Sequence, residues 1–167
     1  MAVRLQREPF DVGAEVARLS TGRTDIGAVV TFTGLCRGGA GDDRIVAMTL
    51  DHYPAMALAE IERIETEAGA RWPLLGTTII HRFGRLVPGE EIVLVATASA
   101  HRQAAFDAAA FIMDYLKTRA PFWKSEERES GGSSWVAAKA EDDQAEARWA
   151  RSGRSADSAQ PSLVKDQ

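Results

Sequence analysis

Two lysines, Lys117 and Lys124, lie seven residues apart in LKTRAPFWKSE, with a proline and two adjacent aromatics between them. The apolar spacing of Ala105, Ala109, Ile112 and Leu116, with Phe106 and Met113 beside them, predicts a helix from about His101 to Arg119. Lys117 then falls in its last turn, where unpaired carbonyls and the helix dipole favour a cation. Pro121 ends the helix, and beyond it alternation sets Phe122, Lys124 and Glu126 on one strand face and Trp123 and Ser125 on the other. Singly, each lysine is explained as a surface charge, one at a helix end and one on an edge strand. A turn at Pro121 would instead fold the strand back along the helix and bring both ammonium groups to one apolar-walled site. Like-charge repulsion and desolvation there lower an amine pKa toward neutrality, which suits a nucleophile or a general acid/base.

At the other end of the same helix, SAHRQ sets Ser99, His101 and Arg102 at a strand-to-helix junction. Unpaired backbone N–H groups and the positive dipole end attract anions there, phosphate above all; the competing account is a Ser99 cap with two surface side chains. Arg37 follows a buried strand in FTGLCRGG, where Gly38 and Gly39 permit a close backbone approach by a ligand or partner chain. A hairpin tip explains the same glycines, and no Gly-Lys-Ser/Thr ending makes this a Walker loop. His52, His81 and His101 show no paired metal spacing, so no metal is assigned, and His52 and His81 read as structural strand residues. Cys36 is the only cysteine, which excludes an internal disulfide and a two-thiol relay; a small buried residue is its commoner role.

These residues need a scaffold. With 167 residues, 45% hydrophobic and 26% charged, and a net charge of -4, the chain has the composition of a globular domain and not of a nucleic-acid binder. No apolar run approaches the roughly 18 residues of a membrane helix, and a cytoplasmic setting is expected. Asp11 is placed to cap a short helix to about Ser20; IGAVVTFTG and IVAMTLDH read as strands around a glycine-rich loop. Pro54 opens a helix closing near Gly69, with Met56, Ala57, Ile61, Ile64 and Ala68 as its buried stripe. LLGTTIIHRFG and EEIVLVATAS flank RLVPGE, whose Pro-Gly pair predicts the turn of a hairpin and so antiparallel pairing. FWKSEER and SWVAAKA are short strand candidates. Two long helices against at least five strands predict an α+β layered domain over residues 1–149, followed by a disordered polar tail over 150–167.

In order and spacing, GAVVTFTGLCRG, LDHYPAMA, HRFGRLVPGEEIVLV, SAHRQAAFDA and FIMDYLKTRAPFWKSE, with Gly132 and Trp135 after them, resemble the catalytic (large) subunit of molybdopterin synthase over roughly Pro9 to Trp149. The resemblance implies an α/β hammerhead-type fold with an antiparallel sheet and an extra small β subdomain. It implies a homodimer at the centre of a heterotetramer, each copy binding a ubiquitin-like sulfur-carrier subunit with a C-terminal Gly-Gly thiocarboxylate. The implied reaction converts cyclic pyranopterin monophosphate to molybdopterin without a cofactor. Lys117 and Lys124 match the family's catalytic lysines. Substrate binding is implied at Arg37, Gly38, Gly39, His101, Arg102, Ser125 and Glu126 together with both lysines, Arg102 reaching in from the neighbouring protomer. The anionic substrate agrees with the converging cations, and the external sulfur agrees with a single cysteine. Two rival readings are a cyclic-phosphate hydrolase using Lys117 and His101, and a non-catalytic module binding a ubiquitin-like tail or an anion.

Overall fold

The computed structural model describes residues 2–39, 44–136 and 144–149. The chain runs β1 (Ala2–Gln6), α1 (Val12–Ser20), β2 (Ala28–Leu35), β3 (Ile45–His52), α2 (Pro54–Arg71), β4 (Leu74–Arg82), β5 (Gly84–Leu86), β6 (Glu91–Ser99), α3 (Arg102–Thr118), β7 (Phe122–Arg128) and β8 (Gly132–Trp135). A further helical segment, α4, covers 144–149. The proposed tail over 150–167, and the end of the SWVAAKA strand candidate, lie outside the described residues. No described helix is long and apolar enough to cross a membrane.

Two four-stranded sheets form, ordered β1-β4-β6-β2 and β5-β3-β7-β8. All pairings are antiparallel except β1 with β4, which is parallel. The α+β layering therefore holds. Asp11 caps α1 as its spacing predicts, its Oδ1 accepting the Ala14 N–H at 2.9 Å, and Pro54 occupies the first turn of α2. The Pro-Gly turn also forms: the Glu90 N–H donates to the Val87 carbonyl at 3.1 Å, with Gly89 at φ 94°. The strands it serves, β4 and β6, are antiparallel, but β5 between them leaves to join β3 in the second sheet.

Consecutive strand residues face opposite sides, so neighbours on β4 show which layer lies where. Thr77 donates its hydroxyl to the buried Glu65 carboxylate of α2, while Gly76 abuts Leu19 of α1. Helices α2 and α1 thus lie on opposite faces of the first sheet. The core on the α2 side joins Ile61, Ile64 and Ala68 to Ile79, Val93 and Val95, and to Ala109, Phe111, Ile112 and Leu116 of α3. A smaller core under the second sheet holds Cys36, Met48, Leu50 and Leu86.

Two assignments to buried faces change. Met56 and Phe106 are 59% and 58% exposed. Each lies beside the stripe rather than in it, and the sheet contacted by each helix is filled by the alanines and isoleucines at the neighbouring positions.

The β6–α3 junction is held by Gly27, whose N–H donates to the Ser99 carbonyl at 3.1 Å. A Cβ at Gly27 would be driven into the backbone oxygen of Ala100. Gly27→Ala is expected to cost about 1–3 kcal/mol, since the obstacle is backbone and cannot rotate away. Thermal unfolding checks it; an unchanged midpoint would show that the junction yields freely.

Candidate functional site

Helix α3 runs antiparallel to β6, so its last turn returns over the start of that strand. Thr97, late in β6, donates its hydroxyl to the Ala105 carbonyl near the start of α3, whereas Val93 packs with Leu116 near its end. Lys117 is thereby carried to the end of the first sheet at which β6 begins. Pro121 cannot continue the helix, and the chain enters β7, which pairs with β3 in the register His52 with Phe122, Leu50 with Lys124 and Met48 with Glu126. Directly opposed residues share a face.

That shared face closes a cavity of about 490 Å³. Met48, Leu50, Lys124 and Glu126 form one wall; Lys117 from α3, His81 from β4 and Ile92 from β6 form another. Leu35, Arg37, Gly39 and Ile45 complete the rim. The register shift between Gly34 and Leu35 ends the regular pairing of β2 just where the chain turns into this rim. Gly39 adopts φ 73°, in the left-handed region, and the Ile45 N–H donates to the Gly38 carbonyl at 3.0 Å, closing the loop base.

The lining brings Arg37, Lys117 and Lys124 together against one carboxylate. Lys124 does not face Lys117 uncompensated, as expected from the sequence, but forms an ion pair with Glu126 at 2.7 Å. Glu126 is buried, and its second oxygen takes Arg128 at 3.1 Å. Each buried charge is matched, as a low-dielectric wall requires. The arrangement suits an anionic ligand, with a lysine on each of two separate elements able to reach it.

The other sequence-proposed residues lie elsewhere. Gly38 sits beside the rim, against Pro88. Ser125 pairs with Trp135 on the opposite face of β7 from the cavity. His101 and Arg102 are exposed at the start of the 17-residue α3, roughly 25 Å along the helix from its last turn, and do not line this chain's own cavity. At that junction Ser99 Oγ donates to the Pro73 carbonyl at 2.9 Å and accepts the His101 N–H at 3.3 Å. Cys36 is buried; burial pushes its thiol up despite the lowering pull of Lys124, so it is not a poised thiolate. No group of three His, Cys, Asp or Glu among the described residues could hold a metal.

His81 lies in a strand, as the sequence suggests, and also lines the cavity, which sequence reasoning did not propose. It belongs to the row Thr77, Ile79, His81 that faces the helices, and the signal was a polar side chain closing an inward apolar row. It is 9% exposed and stacks on Phe122 at 3.9 Å between ring centroids, 14° from parallel. Burial lowers its pKa to about 4, against a smaller raising effect from its hydrogen bond with Arg82. A larger concavity of about 740 Å³ opens beside β1 and the start of α2. Its charged lining includes Arg4, already paired with Glu15, and it holds neither lysine, so the smaller cavity is the candidate site.

Comparisons with known proteins place the chain in a family. The family described as MoaE protein matches residues 5–119, a span that includes Arg37 and Lys117 and stops short of Lys124. A molybdopterin synthase catalytic subunit of Mesorhizobium japonicum is 61% identical over 148 residues, covering 88% of this chain and 92% of the relative. The molybdopterin biosynthesis MoaE protein of Burkholderia ambifaria superposes with a TM-score of 0.76 at 47% identity, covering 90% and 99% of the two chains. A complex of subunits 1 and 2 of molybdopterin-converting factor from Helicobacter pylori shares the fold, with a TM-score of 0.65 at 18% identity over 83% of this chain and 90% of that one.

The buried imidazole has a consequence for acid stability. Between the ordinary value of 6.5 and about 4, the unfolded chain binds a proton at residue 81 that the folded chain does not. Stability therefore falls as pH is lowered through that window, by on the order of 3 kcal/mol in full. Burial and the Arg7 charge lower the His52 pKa as well, adding to the loss with the same sign. Urea unfolding at pH 7 and pH 4.5 is expected to show a markedly smaller loss in His81→Phe than in wild type; equal losses would refute the assignment.

Proposed function

The chain belongs to the MoaE family, and on that premise we propose that it is the catalytic subunit of a molybdopterin synthase, acting in molybdenum cofactor biosynthesis. It converts cyclic pyranopterin monophosphate to molybdopterin with sulfur delivered by a small ubiquitin-like carrier subunit, in a cytoplasmic setting. Each transfer forms a carbon–sulfur bond at a substrate carbon whose carbon–oxygen bond breaks, and breaks the carrier's acyl carbon–sulfur bond, to which water supplies the oxygen. Oxygen replaces sulfur on the carrier, which leaves as a carboxylate, and no oxidant or reductant is consumed.

One observation carries the reading: Lys117 from the end of α3 and Lys124 from β7 reach a single cavity of about 490 Å³ whose rim holds Arg37. In this reading the cations hold the substrate phosphate, and the lysines protonate or deprotonate groups at the reacting carbons. Glu126 orients Lys124 through their ion pair. The Gly38-Gly39 loop gives the thin Gly-Gly tail a path to the cavity, holding the thiocarboxylate near the carbon it attacks. Ser125 supports β7 from its other face. His101 and Arg102, exposed and far along α3, serve the cavity of a second protomer in a homodimer that forms the centre of a heterotetramer. Residues 1–149 form the synthase domain, with 150–167 a polar tail.

Mixing the protein with thiocarboxylated carrier and cyclic pyranopterin monophosphate, and following molybdopterin as its fluorescent oxidation product, tests the reading. Lys117→Ala is expected to lose at least about 100-fold in turnover, with an unchanged melting temperature because Lys117 is exposed. Full activity in that variant would remove Lys117 from catalysis. No product from wild type with the carrier bound would make the chain a binding module.

A further inference from the structure

We propose that His81 is the uncharged hydrogen-bond acceptor of the cavity, its Nε2 taking a hydrogen from an N–H of the bound substrate's nitrogen heterocycle. The inference rests on the reading of the site given above and assigns it a second kind of recognition, distinct from charge.

The tautomer follows from geometry. His81 Nδ1 lies 2.8 Å from the Arg82 carbonyl oxygen, which can only accept, so Nδ1 carries the hydrogen and Nε2 keeps its lone pair. Nε2 takes no hydrogen bond from any described residue. It is not sealed away either, since the one buried, unpaired side-chain nitrogen or oxygen among the described residues is Arg4 Nε. His81 lines the cavity, and in this proposal that lone pair is aimed into it. The ring cannot turn away, because the Arg82 carbonyl holds one edge and Phe122 covers one face. Burial keeps it neutral at physiological pH, so the lone pair persists beside the cations.

No other side chain of the lining offers a neutral nitrogen or oxygen acceptor; the rest are charged or lack one. Arg37, Lys117 and Lys124 can only donate. The Glu126 oxygens are engaged, one by Lys124 and the other by Arg128. A ligand offering phosphate oxygens alone is served by the donors. A ligand that also presents ring or amino N–H groups, as a pterin does, has one neutral acceptor to meet among these side chains. Leaving such a donor unmatched against the buried wall of the cavity costs affinity.

Three substitutions separate this role from packing. In His81→Gln the amide oxygen can reach the place of Nε2. In His81→Asn the amide nitrogen can take the place of Nδ1, leaving no acceptor in the cavity. In His81→Phe the ring and its stacking on Phe122 remain without either nitrogen. Calorimetric titration of the full chain with cyclic pyranopterin monophosphate, and separately with inorganic phosphate, gives the readout. His81→Asn and His81→Phe are expected to bind the pterin roughly tenfold more weakly, and His81→Gln close to wild type. All four proteins are expected to bind phosphate alike. Equal pterin affinity across the set would overturn the proposal. So would a parallel loss of phosphate binding in His81→Phe, which would mark a packing role. Turnover with the thiocarboxylated carrier on the same preparations tests the functional reading separately. The expected affinity pattern without product would leave His81 in place and remove the synthase assignment; product with uniform affinities would do the reverse.

Discussion

Ala105, Ala109, Ile112 and Leu116 are buried along α3, and through them the helix is pinned to Val93 and Val95 of the first sheet. The charged groups of the cavity take their places from that contact. The helix cannot slide without opening voids, because an interior packed at crystal-like density has no room to redistribute. Lys117, one residue beyond Leu116, is held at that end of the sheet by apolar burial although its own side chain is exposed. Pro121 then sets where the chain can turn, and the β3–β7 register converts that turn into the position of Lys124.

Around this contact a second set of interactions ties down the same end of α3. Trp149 packs on Phe111 and Trp72, and its indole N–H donates to Asp114 at 2.7 Å, an oxygen that Arg148 also reaches. Arg119, just past Lys117, is held by Glu146. The short α4 thus clasps the last turn of α3 by an aromatic contact and two ion pairs. The exposed parts of those pairs contribute little by themselves, so the aromatic cluster carries most of the clasp.

The electrostatic design of the cavity divides its labour. Arg37 and Lys117 are exposed charges at the opening, where they attract an anion and are screened by salt. Glu126 is a buried charge whose cost is offset by two cationic partners. His81 is buried and neutral, which avoids adding a fourth positive charge to a lining that holds three. One small space therefore combines charge attraction at its mouth with neutral hydrogen bonding in its wall.

The local signals in the sequence were sound where local physics decides. Asp11 before an amphipathic run, Pro54 at a helix start, Pro-Gly between two apolar runs and Pro121 after a helix each act through a few neighbouring backbone groups. The alternation after Pro121 likewise put Lys124 and Glu126 on one face, as the cavity lining shows. What pairs with what was another matter. The parallel docking of β1 on β4 and the departure of β5 to the second sheet depend on partners far apart in the sequence, from Leu50 with Gly84 to Ala2 with Thr78, and no short window encodes them. The exposure of Met56 and Phe106 turned on which side of each helix met the sheet, a choice made by packing and not by hydrophobicity. The Glu126 partnership of Lys124 needed side-chain geometry. So did the role of His81, an ordinary strand histidine until β4, β7 and α3 meet around it. Residue type and spacing were enough to single out the two lysines that meet at the cavity; burial and register, which are properties of the assembled layers, decided how those groups are paired and placed.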